Sequence, residues 1–120
     1  RCGQQYDTID AGCFSESMKG YRMCLVFEWD DRKAKINQAK HGITFDEAKT
    51  VFGDPHALTF PDDDHADTED RFISIGYSSH FRILLVAYTE HDFGDVFVIR
   101  IISSRRATMA ERKTYEEYAT

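Results

Sequence analysis

Arginine is the residue type whose spacing most directly suggests chemistry in this chain. Arg100 interrupts the apolar run from Val96 to Ser104, and an Arg-rich segment follows it. An unpaired charge inside a buried strand costs several kcal/mol. The guanidinium of Arg100 therefore needs a carboxylate, the edge of a sheet or an anionic ligand, and its planar set of donors suits phosphate.

The charge of the chain is unevenly distributed. A formal net charge of −6 weighs against a nucleic-acid partner, because phosphate binding depends on Lys and Arg. From Asp54 to Asp70, however, there are seven acidic residues and no Lys or Arg. From Arg71 to Tyr115, seven basic residues oppose four acidic ones, and six of the seven are arginines. The second half of the chain can therefore bind an anion although the whole chain is acidic.

The pattern of apolar residues predicts one α+β domain. Cys24–Glu28 is typical of a strand, Asp30–Lys40 of a helix ended by Gly42, and the capping box Thr44–Glu47 opens a second helix. A second capping box, Thr108–Glu111, opens a last helix that runs to about Tyr118. Between the helices a period of two predicts four strands: His56–Phe60, Arg71–Tyr77, Arg82–Glu90 and Val96–Ser104. We expect a mostly antiparallel sheet of four to five strands, with two N-terminal helices and one C-terminal helix on one face.

Alternation along the strands predicts which side chains share a face. The face with Phe97, Ile99, Ile101 and Ser103 should meet the helices, and Ser104 should share the face of Arg100. The opposite face would then carry a polar group of residues: Arg71, Arg82, Tyr88, Glu90 and Arg100.

Residues 1–22 differ from the rest, because they are polar, lack periodicity and do not begin with Met. We expect a single domain over residues 23–120, preceded by an extension, a mis-called start or sequence from an expression vector. All three cysteines, Cys2, Cys13 and Cys24, lie near this segment, and their odd number fits free thiols in a reducing cytoplasm. No apolar run reaches the roughly 20 residues that span a bilayer, so we expect no membrane partner.

The acidic segment from Pro61 to Asp70 has three interpretations. Alternate oxygen ligands suggest calcium, but Asp67 stands where an EF-hand loop requires Gly, and the bidentate Glu is missing. A solvated loop and an electrostatic contact for a basic partner are the other two. We expect no metal and no cofactor, and leave a calcium-binding module as one alternative function.

Four blocks of the chain, in order, resemble the BrnT family of type II toxin–antitoxin toxins over about Leu25–Tyr118. They are FEWDDRKAKINQAKHGITFDEAKTVFGDP, RFISIGYSS, LLVAYTE and IRIISSRRATMAERKTYEEY. The resemblance implies a RelE-like fold and a ribonuclease toxin. It also implies a BrnA-like antitoxin of ribbon-helix-helix type, which neutralises the toxin and carries binding to operator DNA. The matching positions are Asn37, His41, Gly42, Arg71, Gly76, Arg100, Ser103, Arg105, Glu111, Arg112 and Tyr115.

Metal-free RNA cleavage requires a base for the attacking 2′-hydroxyl, an acid for the leaving oxygen and cations for the charged phosphorane. We assign Arg71, Arg100 and Arg105 to the phosphate, Arg82 to their support and His41 to proton transfer. Each assignment has a structural alternative. Arg82 and Arg100 could pair with Glu90 across strands, His41 could serve the helix end, and Glu111 could cap the last helix.

One corner departs from the family pattern. Where that pattern reads Thr-Glu-Arg, this chain reads Thr89-Glu90-His91, and Phe93 lengthens the following hairpin. An imidazole replaces a permanent cation there, which weakens the case for phosphate binding at this corner. The alternative function of another class is a non-catalytic binding module that completes an autoregulatory DNA-binding complex with the antitoxin.

Overall fold

The computed structural model describes residues 8–16, 21–62 and 71–118, with side chains from Leu25 onward. The expectations for the acidic segment beyond Asp62 lie outside these residues. The elements in chain order are β1 (Thr8–Glu16), β2 (Tyr21–Trp29), α1 (Asp31–His41), α2 (Phe45–Ala48), a 3-10 helix (Lys49–Gly53), β3 (Leu58–Pro61), β4 (Arg71–Tyr77), β5 (Ile83–Asp92), β6 (Val96–Arg106) and α3 (Met109–Tyr118).

Local capping signals account for the helix ends. Asp30 accepts hydrogen bonds from the backbone N–H of Arg32 and Lys33, so α1 begins after it. Gly42 ends α1 with φ 72°, a left-handed conformation that glycine adopts without strain. The hydroxyl of Thr44 accepts from the backbone N–H of Glu47 at 3.1 Å, as the capping box predicts. The second half of that box is wrong, because the Glu47 carboxylate turns to Arg82 instead.

The described strands form one mixed sheet of six, in the order β1-β2-β6-β5-β4-β3. β2 and β6 run parallel and the other pairs are antiparallel, so the prediction of four to five mostly antiparallel strands is only partly confirmed. β1 was not predicted, because residues 1–22 lack a period of two. β1 pairs with β2 from Thr8↔Trp29 to Glu16↔Tyr21. The domain boundary before Met23 stays a prediction.

The sheet is covered on both faces. On the α1 face, α1 and α2 cover a core to which the sheet contributes Phe27, Leu84, Val86, Tyr88, Ile99 and Ile101. On the opposite face, the α3 face, Tyr115 of α3 packs with Ile75, Ile83 and Leu85. The expectation of helices on one face only is therefore wrong. Tyr88 lies under the N-terminal helices rather than beside Arg100.

A β-bulge between β5 and β6 explains the error in side-chain faces. Ala87 pairs with Ser103 whereas Tyr88 pairs with Ile101, so Ile102 is an extra residue. The bulge reverses the alternation, and Ser104 joins Val86 on the α1 face while Ser103 moves to the α3 face. It also brings Arg105, the partner of Leu85, to the same face as Arg100.

Asn37 closes the outer edge of β6. β2 pairs with β6 only as far as Arg100, and α1 lies beside the remaining edge. The Asn37 side chain accepts from the backbone N–H of Ser104 at 3.0 Å and donates to its carbonyl at 2.8 Å. It also donates to the carbonyl of Ile43 at 3.0 Å. A buried amide thus substitutes for the missing strand.

Candidate functional site

Four strands place Glu28, Arg100, Thr89 and Arg71 side by side on the α3 face, and we call this set the arginine row. The pairs Arg71↔Thr89, Thr89↔Arg100 and Glu28↔Arg100 are each in register, and partners in register project to the same side. Neighbouring strands lie about 4.8 Å apart, so the backbones of Arg71 and Arg100 are separated by about 10 Å. Two guanidinium groups can reach a single phosphate across such a gap.

Two buried polar atoms in the arginine row lack a hydrogen-bond partner. Thr89 is 1% exposed and its hydroxyl oxygen makes no hydrogen bond, and the buried Nε of Arg71 makes none either. Each such group costs about 1–3 kcal/mol when it is unsatisfied. Most buried polar groups in folded proteins have a hydrogen-bond partner, which can be a water or an ion as well as protein. Both groups can donate to the oxygens of an anion.

Arg82 lies away from the arginine row. Its Nε and Nη2 are 2.8 Å and 2.6 Å from the two carboxylate oxygens of Glu47. The Glu47 side chain is 2% exposed, and it also accepts from Ser78 at 2.6 Å. The hydrogen bonds from Arg82 lower the pKa of Glu47 against the effect of burial. Seven residues separate Arg82 from Thr89 along the chain, which is about 23 Å of extended strand.

Arg105 lies on the α3 face with Arg100 but is held by Glu111. Its two Nη atoms donate to the Glu111 carboxylate at 2.9 Å and 3.0 Å, which lowers the pKa of Glu111. The same carboxylate accepts from the backbone N–H of Thr108 at 2.8 Å, and the Thr108 hydroxyl accepts from the N–H of Glu111. The second capping box is therefore confirmed, and Arg105 joins β6 to the first turn of α3.

His41 lines a groove between α1 and the bulged edge of β6. The α1 groove has a volume of about 170 Å³ and is lined by Lys33, Ile36, Asn37, Lys40, His41, Ile102 and Ser103. Ser103 connects the groove to the arginine row, because its partner Ala87 lies two residues before Thr89 on β5. The groove therefore presents two lysines and an imidazole at the border of the α3 face.

Several positions of the family resemblance have structural roles. A Cβ on Gly76 would lie 2.9 Å from Oδ2 of Asp54 and 3.0 Å from Ala57, so only glycine fits without displacement. The Tyr115 hydroxyl donates to the same Asp54 oxygen at 2.6 Å. Gly42 ends α1, and Asn37 closes the edge of β6. Arg112 is exposed on α3. Four further matching positions lie at the candidate site. Arg71 and Arg100 belong to the arginine row, and Ser103 and His41 line the α1 groove.

Glu90 pairs with neither arginine of the proposed cross-strand pairs. It is the partner of Ile99, which places it on the α1 face, away from Arg100. Burial raises the pKa of its carboxyl group. Arg82 pairs with Glu47 instead, so the proposed pairing with Glu90 is wrong.

Three residues at the site were not predicted as functional from the sequence: Thr89, His91 and Phe93. Thr89 gave no signal, because a threonine in a strand is ordinary, and its role depends on its two neighbours. His91 and Phe93 were recognised only as departures from the family pattern. His91 lies on the α3 face, two residues beyond Thr89, and its ring stacks on Phe93 with centroids 6.4 Å apart.

Within residues 25–62 and 71–118, no three His, Cys, Asp or Glu side chains are grouped so that they could hold a metal ion. None of the described helices combines the length and apolar character needed to cross a bilayer.

Comparisons with known proteins agree with the resemblance seen in the sequence. The family model for BrnT, the ribonuclease toxin of type II toxin–antitoxin systems, matches residues 29–111. Among solved structures, the chain is similar to the crystal structure of the Brucella abortus ribonuclease toxin, BrnT, with 28% sequence identity. The match covers 68% of this chain and 94% of that chain, and the TM-score is 0.49. No curated protein matches. The chain belongs to the BrnT family of ribonuclease toxins of type II toxin–antitoxin systems.

Proposed function

We propose that this protein is an endoribonuclease that cleaves RNA without a metal ion, and that Arg71 and Arg100 hold the phosphate at which the RNA is cut. The observation that carries the proposal is the pair of unsatisfied donors, Arg71 Nε and the Thr89 hydroxyl, within the arginine row. Cleavage in the cytoplasm would inhibit translation and growth.

The proposed reaction breaks one phosphodiester bond. The 2′-oxygen attacks the adjacent phosphorus, the bond to the 5′-oxygen breaks, and a cyclic phosphate and a 5′-hydroxyl result. The guanidinium groups of Arg71 and Arg100 would stabilise the extra negative charge of the phosphorane, and the Thr89 hydroxyl would donate to a non-bridging oxygen. His41 would take the proton of the 2′-hydroxyl or deliver a proton to the 5′-oxygen, and solvent water would carry the other transfer, so that the proton lost at one oxygen balances the proton gained at the other.

The remaining arginines would act indirectly. Arg105 would position α3 against β6 through Glu111, and Arg82 would stabilise the β4–β5 turn through Glu47. The sequence assigned Arg105 to the phosphate and Arg82 to its support, and the ion pairs of both favour a positioning role. Lys33 and Lys40 in the α1 groove would attract the RNA backbone next to the site.

The proposed partner is a BrnA-like antitoxin of ribbon-helix-helix type. Type II systems pair a toxin with a protein antitoxin, and this chain carries a net charge of −6. An acidic chain binds DNA poorly by itself, so we assign contact with operator DNA to the antitoxin.

Single-turnover cleavage of RNA in the presence of EDTA tests the proposal. Arg71→Ala and Arg100→Ala should each lower the cleavage rate on the order of 100-fold. Arg106→Ala is a matched control, because Arg106 is also on β6 but lies on the α1 face opposite Leu84. His41→Ala should lower the rate as well, and an unchanged rate would remove His41 from the mechanism.

The non-catalytic alternative makes a different prediction. It requires that the wild-type protein cleaves no RNA, with or without ribosomes, while it still binds the antitoxin and alters operator binding. Induction of the protein with and without the neighbouring antitoxin gene, followed by growth and total RNA integrity, separates the two functions.

A further inference from the structure

We propose that Phe93, supported by His91, forms a stacking platform for one unpaired base of the RNA strand whose phosphate lies on the arginine row. This inference rests on the ribonuclease function proposed above and adds a substrate class, single-stranded RNA. Phe93 is 68% exposed, and its ring lies 6.4 Å from that of His91 at an interplanar angle of 25°. Phe93 therefore presents an exposed aromatic ring to solvent, with the His91 imidazole beside it.

The position of the rings connects them to the arginine row. His91 follows Thr89 by two residues on β5, so both side chains project from the α3 face about 7 Å apart. One nucleotide bridges such a distance between its phosphate and its base. Asp92 is the partner of Phe97 and lies on the α1 face, so its carboxylate does not project between the rings and the row.

Two hydrogen bonds brace the hairpin that carries Phe93. The backbone N–H of Phe93 donates to the carbonyl of Val96 at 2.8 Å, and the N–H of Gly94 donates to the Asp92 side chain at 2.9 Å. Gly94 takes φ 94°, which a residue with a Cβ rarely adopts. A preformed platform loses little entropy when a base stacks on it.

The chemistry favours an unpaired base over a protein or a duplex. Cations that follow a phosphate backbone beside exposed aromatic rings are the usual features of single-strand binding. Every base has a π-face, and a phenyl ring reads no base edge, so the platform should accept all four bases. The bases of a duplex are already stacked and would not reach Phe93.

Binding of a short single-stranded RNA that carries 2′-O-methyl groups tests the platform without cleavage. Phe93→Ala should raise the Kd about tenfold or more, and Phe93→Tyr should keep the wild-type Kd. Phe81→Ala is a matched control, because Phe81 is 88% exposed in the turn at the other end of β5. It should leave the Kd unchanged.

Two further readouts identify stacking. The fluorescence of a 2-aminopurine base in the RNA should be quenched by the wild type and by Phe93→Tyr but not by Phe93→Ala. Phe93→Ala should also leave the slope of log K against log salt unchanged, whereas Arg71→Ala should reduce it by about one.

The outcomes separate the platform from the function on which it rests. If the wild type cleaves RNA and Phe93→Ala binds the single strand normally, the platform is wrong and the ribonuclease stands. The platform is also contradicted if Phe93→Ala weakens binding of duplex RNA as much as binding of single-stranded RNA, or if it weakens only binding of the antitoxin. If the wild type neither binds nor cleaves RNA, the proposed function itself fails.

Discussion

Arg82 and Glu47 form a two-point ion pair that joins the start of β5 to α2, with N–O distances of 2.8 Å and 2.6 Å. The Glu47 side chain is 2% exposed and that of Arg82 is 28% exposed. The carboxylate is therefore the member that depends on its partner. A hydrogen bond from the Ser78 hydroxyl and a contact with His80 complete its surroundings.

Removal of Arg82 should destabilise the fold strongly, because it leaves the Glu47 charge buried without its main partner. We expect Arg82→Ala to lower the free energy of unfolding by about 3–5 kcal/mol. The double change Arg82→Met with Glu47→Leu should cost less than Arg82→Ala alone. Urea denaturation measures both, and equal losses would contradict this account of the pair.

Acid should weaken the same pair. The pKa of Glu47 is lowered in the folded state, so the unfolded chain takes up the proton first as the pH falls. The contribution of Glu47 is complete above about pH 4.3, the ordinary value for Glu, and is lost progressively below it. The difference in stability between the wild type and Glu47→Gln should therefore shrink as the pH falls from 5 towards acid. A constant difference would exclude this contribution.

Asn37 should be the most sensitive residue of α1. Asn37→Ala removes three buried hydrogen bonds and leaves both backbone groups of Ser104 without the partners that they have in α1. We expect a loss of about 3 kcal/mol and faster hydrogen exchange at the Ser104 amide. Gln38→Ala, an exposed neighbour on the same helix, is the control and should change stability little.

Gly76 and Gly53 should respond oppositely to alanine. At Gly76 the new Cβ would meet Asp54, which holds the Tyr115 hydroxyl, so Gly76→Ala should cost about 1–3 kcal/mol and loosen α3. At Gly53 no atom lies within 4 Å, so Gly53→Ala should be neutral or slightly stabilising. Thermal denaturation of the two variants checks the contrast.

Substitution of Thr89 should have different effects on the stability of the fold and on RNA cleavage. Thr89→Val removes a buried hydroxyl that has no partner, so the free energy of unfolding should stay equal or rise by about 1 kcal/mol. RNA cleavage should fall, because the proposed donor to the phosphate is gone. A stable variant with full activity would exclude Thr89 from the site.

Features that depend on neighbours in the sequence were predictable, and features that depend on distant residues were not. Asp30, Gly42 and Thr44 cap helices through neighbours within a few residues, and each was predicted correctly. The face of Ser104 was predicted wrongly, because the bulge at Ile102 exists only through pairing with β5. Glu47 was assigned to a cap, since its partner Arg82 lies 35 residues away.

The candidate site shows the same limit. Arg71 and Arg100 were correctly expected on one face, because strict alternation holds on that side of the bulge. Their neighbour Thr89 and the different positions of Arg82 and Arg105 depend on register and on distant carboxylates. No pattern within one strand contains that information.

The extra residue at Ile102 also restricts how the length of this chain can change. Deletion of one residue between Ile101 and Ser104 would restore simple alternation and turn Arg105 away from Glu111, so the first turn of α3 would lose its ion pair with β6. An insertion at the tip between Asp92 and Val96 would shift no side chain of the paired strands. Lineages of this protein should therefore vary in length at the hairpin and keep a fixed length at the bulge.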